Sequence, residues 1–64
     1  MQLTQAQMDK IRFLESRWHY VSEPRPDVPA STGLVIVECK SEAQHSAGFP
    51  GIIVGICADG SSHS

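Results

Sequence analysis

Asparagine is missing altogether from this 64-residue chain. Its absence excludes an N-glycosylation sequon and the Asn-Gly pair that favours a tight hairpin turn. A basic excess is missing too: five Lys and Arg stand against seven Asp and Glu, for a formal net charge of −2. A protein built to coat nucleic acid would show the opposite balance, and a disordered acidic tail would be charged far more heavily. Two cysteines are too few for a secreted disulfide scaffold. The longest near-continuous apolar run, residues 51–58, falls far short of a membrane span. The opening Met-Gln-Leu-Thr-Gln-Ala-Gln has no basic stretch, and Asp9 and Lys10 arrive before any apolar run, unlike a signal peptide. These readings predict a cytoplasmic protein with reduced thiols and no membrane partner.

A chain this short is expected to form one small domain over residues 1–64. It buries only about 60% of the surface its unfolded form exposes. Its core rarely supplies more than roughly 3–5 kcal/mol, so a staple or a partner is the first thing to look for.

What the sequence does contain begins with a complete helix start. In Thr4-Gln5-Ala6-Gln7 the Thr4 hydroxyl can accept from the Gln7 N–H while the Gln7 side chain reaches back. Leu3 and Met8 flank this box as a hydrophobic staple. Met8, Ile11, Leu14, Trp18 and Val21 then recur at three- and four-residue spacing, the stripe of an amphipathic helix. Pro24 disfavours helical backbone at Glu23. The periodicity therefore predicts a helix over 5–21.

Residues 22–32 carry Pro24, Pro26 and Pro29 without periodicity and read as an extended, polyproline-like strap. The PxxP spacing from Pro26 to Pro29 is commoner in connecting loops than in groove ligands. Two β-branched segments follow, about 33–40 and 51–58, with a ten-residue loop at 41–50. That connection suits an antiparallel pair. The expected fold is α+β: one N-terminal amphipathic helix packed on an antiparallel β-hairpin, with residues 59–64 as a polar tail. Its core should hold Met8, Ile11, Leu14, Trp18, Val35, Val37, Val54 and Ile56.

Both strands are apolar on both faces, and such strands are normally covered on both. One helix covers one face, and a two-stranded ribbon leaves two hydrophobic edges. Four or five wet aliphatic side chains would forfeit about 6–15 kcal/mol. A homodimer, pairing strand edges or stacking sheet faces, is the expected remedy.

A second helical stripe, Ala6, Phe13 and Tyr20, is spaced by seven and flanked by Lys10 and Arg17. Phe13, Arg17, Tyr20 and Lys10 are thus the expected partner-binding face, since Tyr and Arg are enriched at binding hot spots. The same helix interleaves Lys10, Arg12 and Arg17 with aromatics, as a nucleic-acid surface does. Its net charge over residues 1–21 is only +1, thin for phosphate neutralisation. A non-enzymatic module that regulates or inhibits another protein by occupying its surface is the leading functional expectation.

The alternative rests on a repeat. The segments beginning at Gly33 and Gly51 align without gaps, and each contains Cys-x5-His: Cys39 with His45, and Cys57 with His63. Two Cys and two His make a complete zinc set. A hairpin turning near His45 or Ser46 would place Cys39 opposite about Ile53 and Cys57 opposite about Val35. The two thiols would then lie roughly 14 Å apart, too far for one ion or a disulfide. Buried cysteines and loop histidines are the simpler account of the repeat, so no cofactor is expected. A nucleophile–base set of Cys57 or Cys39 with His45 or His63 and an acid such as Asp59 falls for a different reason. The hydroxyl, imidazole and carboxylate of residues 59–63 lie on a polar tail with nothing to hold them. The Gly48-Phe-Pro-Gly51 segment leads into a strand, so it reads as a turn and not as a phosphate loop.

Overall fold

The computed structural model describes residues 2–27 and 33–64. It is an α+β fold in two layers, a helix on one face of an antiparallel sheet. The elements are α1 (Gln5–Arg17), β1 (Tyr20–Val21), β2 (Arg25–Pro26), β3 (Val35–Lys40), α2 (Glu42–Ala47), β4 (Ile52–Ile56) and β5 (Ser62–His63). β3 and β4 form the centre of the sheet. β1 and β2 both pair with the far edge of β3, and β5 pairs with β4.

Helix α1 starts where the capping box places it. The Thr4 hydroxyl accepts from the Gln7 N–H at 3.1 Å, and the Thr4 N–H donates to Gln7 Oε1 at 2.9 Å. The helix stops at Arg17, four residues short of the predicted end, because Trp18 is already extended. An extended chain lets Tyr20 and Val21 pair with Lys40 and Cys39. The ladder thus wins over continued helical periodicity. Trp18 and Val21 still pack against the core; Val21 does so as a strand residue whose neighbour Tyr20 is directed to the other face.

The start of the expected strap is sheet as well. Arg25 and Pro26 pair with Ile36 and Val35, and between the two short ladders the Ser22 N–H donates to the Glu38 carbonyl at 2.9 Å. Residues 28–32, the rest of that strap with Pro29, lie outside the described residues.

The expected loop 41–50 contains α2, which repeats the start logic of α1. Ser41 accepts from the Gln44 N–H at 3.3 Å and its own N–H donates to Gln44 Oε1 at 2.9 Å. Gly48, with φ +72°, ends the helix; its N–H and that of Phe49 donate to His45 and Gln44, a Schellman closure. Gly51 then passes so close to β3 that a Cβ there would collide with the Cys39 carbonyl.

This connection sets the β3–β4 register, with Val35 opposite Ile56, Val37 opposite Val54 and Cys39 opposite Ile52. The register differs by one residue from the expected pairing of Cys39 with Ile53. One residue inverts the faces: Cys39 lies on the α1 side, whereas Cys57 follows Ile56 onto the other. Leu14, Val35, Val37, Cys39, Val54 and Ile56 form the buried core, joined by Leu3, Ile11 and Trp18. Met8, expected there, is only half-buried.

The C-terminal segment is a second hairpin where a polar tail was expected. The Cys57 N–H donates to the Ser61 carbonyl at 2.8 Å, and the Gly60 N–H closes the turn on the Cys57 carbonyl at 2.9 Å. The Thr4 hydroxyl donates to the Ala58 carbonyl at 2.7 Å, tying this turn to the start of α1.

Candidate functional site

Three of the four residues expected on one helical face do gather there. Phe13 is 49% exposed, with the Lys10 ammonium 5.1 Å and the Arg17 guanidinium 5.5 Å from its ring centroid. Both are cation–π distances, so a half-exposed ring and the two cations over it form one patch. Tyr20 is elsewhere. Because α1 ends before it, Tyr20 joins the sheet, stacks on His45 with centroids 4.7 Å apart, and lies 5.6 Å from the Lys40 ammonium. His19 approaches His45 at 5.5 Å.

The outer face of the sheet is the second surface. Ile36, Glu38 and Lys40 of β3 alternate onto it, half-buried, beside Ile53 and Gly55 of β4. A shallow depression of about 450 Å³ opens there between Tyr20, Glu23, Pro24, Arg25, Glu38 and Ile53. Glu38 also accepts from the Gly51 N–H at 2.9 Å through Oε2, which holds the entry to β4 against β3.

The two sheet edges differ. On one side Pro24, Pro26 and the exposed Arg25 interrupt the β1/β2 edge, and prolines and charges are what discourage further pairing. On the other, β5 pairs only with Gly55 and Ile56. The stretch Ile52, Ile53 and Val54, paired with β3 on its inner side, therefore has no strand along its outer edge among the described residues. Ile52 is 42% and Ile53 48% exposed, and Phe49, just before them, is 63% exposed. Sequence reasoning anticipated uncovered apolar strands but not that β1, β2 and β5 would take most of the edges.

The four residues of the zinc alternative are dispersed. Cys39 is fully buried under α1, and burial pushes its thiol upward. Its repeat partner His45 is drawn away to Tyr20. Cys57 and His63 do meet, with Sγ 3.4 Å from Nε2, on the face opposite Cys39. Among the described residues no three Cys, His, Asp or Glu side chains converge as metal ligands.

Sequence reasoning missed Gln7, a 2%-exposed polar side chain. Its Nε2 donates to the Gly33 carbonyl at 2.8 Å and to the Ile56 carbonyl at 3.2 Å. The capping-box pattern named Gln7, but only as a local cap. No helix among the described residues is long and apolar enough to cross a membrane. No protein-family model, no curated protein and no solved structure matches the chain.

Proposed function

We propose that the chain is a small non-enzymatic interaction module that pairs with a second copy of itself and regulates or inhibits a different protein by occupying its surface. The observation that carries this reading is the free stretch of β4. Ile52, Ile53 and Val54 are β-branched, uncharged and without proline, the composition that exposed edges normally avoid. An antiparallel pairing of this stretch with itself sets Ile53 beside the Ile53 of a second copy and continues the sheet across both. The contact is isologous and closes at two copies. Phe49 and Ile52 flank the same edge and add apolar area.

The surface left for a different protein is Phe13 with Lys10 and Arg17, along one flank of α1. Its basic rim suits an acidic or aromatic-bearing partner. Tyr20, at the end of the sheet, belongs to neither surface in this reading.

Two variants separate the surfaces. Ile53→Asp places a charge at the free edge and abolishes self-association while leaving the circular dichroism spectrum of the folded chain. Phe13→Asp keeps self-association and removes binding of the other protein. A wild-type chain that stays monomeric at high concentration, or an Ile53→Asp protein that still pairs, overturns the reading of β4.

A further inference from the structure

The pair of Cys57 and His63 is built by the C-terminal hairpin and is independent of the self-association reading. Cys57 is fixed by both backbone bonds of the turn, and β5 lays His63 opposite Gly55, which carries no side chain of its own and lies beside that of Leu34. The anchor from Thr4 to Ala58, together with Gly60 seated against Ala6, holds the turn on α1. Sγ and Nε2 are consequently 3.4 Å apart, within reach for a proton to pass from thiol to imidazole.

We propose that Cys57 is a modification site whose thiol, with His63 as its base, is taken up by low-molecular-weight disulfides as a mixed disulfide. His63 Nε2 accepts the Sγ proton. The thiolate attacks one sulfur of the incoming disulfide, so that a Cys57–sulfur bond forms and the original sulfur–sulfur bond breaks. The leaving thiolate departs with that electron pair and takes the proton back from the imidazolium. The disulfide is the oxidant, and no other reactant is needed.

A carboxylate stands in the same turn. Asp59 accepts from the Ser61 N–H at 3.0 Å and from its hydroxyl at 2.7 Å, and its carboxylate interacts favourably with His63 across the turn. β3 contributes only Leu34 and Ile36 beside this position. Arg25 of β2 lies in the same cross-strand row as His63, separated from it by Ile36 and Gly55, and Asp27, whose N–H donates to the Leu34 carbonyl, lies in the row of Cys57 beyond Leu34. Cys57 is half-buried and His63 exposed, so small reagents can reach the sulfur. Cys39 provides the contrast within one molecule. It has the same five-residue spacing to a histidine, yet it is buried and its histidine is stacked elsewhere.

Glutathione disulfide is the probe. The folded protein is incubated with it from about pH 6 to about pH 9.5, and the adduct is located by peptide mass mapping. The expected product is one glutathione on Cys57 and none on Cys39. In His63→Gln the rate at neutral pH falls about tenfold, and the two proteins converge at the alkaline end where any thiol ionises unaided. Circular dichroism establishes that the variant is folded. If it is not, the proposal is tested on the wild type alone: at neutral pH Cys57 must take up glutathione faster in the folded protein than in the same protein unfolded in urea. An unchanged neutral-pH rate in a folded His63→Gln, a Cys57 rate in the folded wild type no faster than in the unfolded chain, or modification of Cys39 as fast as Cys57 overturns the assignment.

Discussion

The side-chain amide of Gln7 donates to the carbonyl of Ile56, 49 residues further along the chain, at 3.2 Å. The same nitrogen reaches the Gly33 carbonyl, while Oε1 accepts from the Thr4 N–H. One buried amide thereby joins the start of α1 to the end of β4 and to the residue that leads into β3. Gln7→Leu keeps the volume and removes every partner. The expected cost is about 2–3 kcal/mol, read as a lower urea midpoint at unchanged slope. A midpoint equal to the wild type would mean that water replaces the amide at no cost.

Thr4 has a double duty: its oxygen caps Gln7 and its hydroxyl proton goes to Ala58. Thr4→Ala should therefore cost about 1–2 kcal/mol, and Thr4→Ser much less. Thermal denaturation of the two variants side by side measures the difference.

Gly51 is required by close approach, and its backbone runs against the Cys39 carbonyl. Gly51→Ala forces β4 away from β3 at its first pair. A loss of about 3 kcal/mol or more is expected, with amide exchange in β4 accelerating ahead of that in α1. Wild-type stability in this variant would contradict the register described for β3 and β4.

Cys39 gives the fold an alkaline limb. Burial raises its thiol above the ordinary 9.0, so between that value and the folded one the folded chain retains a proton the unfolded chain has lost. Its contribution is complete below about pH 9 and disappears as pH rises through the folded value. Urea midpoints should fall more steeply between pH 8 and pH 10.5, roughly the window of thiol titration, in the wild type than in Cys39→Ala.

Much of this architecture is legible in the residues. Thr4 and Gln7 mark the start of α1, and Leu14, Val35, Val37, Val54 and Ile56 enter the core on the strength of spacing alone. The end of α1 is not legible. The spacing of Trp18 and Val21 suits a helix and a strand alike, and the decision is made by the free edge of β3, which is remote in sequence. Ser41 and Gln44 carry the same capping signal as Thr4 and Gln7, and Asp59-Gly60 is a hairpin signal. Neither segment has the apolar periodicity that would make it stand out as an element. Two-residue ladders such as Arg25–Pro26 have no periodicity to detect. The Cys57–His63 pair depends on the turn between them, so the Cys-x5-His repeat alone does not tell which of its halves closes.

Self-association through β4 is the central functional claim. The apolar area at Phe49, Ile52 and Ile53 is smaller than the doubly apolar strands implied, since β1, β2 and β5 cover part of what the sequence left open. Association should accordingly be reversible and visible in the working range of sedimentation equilibrium, from about 10 to about 500 μM. The account predicts a weight-average mass that climbs from the 7.0 kDa of one chain towards roughly twice that value, with Ile53→Asp held at the lower limit. A wild-type chain that remains at 7.0 kDa across the whole range contradicts it.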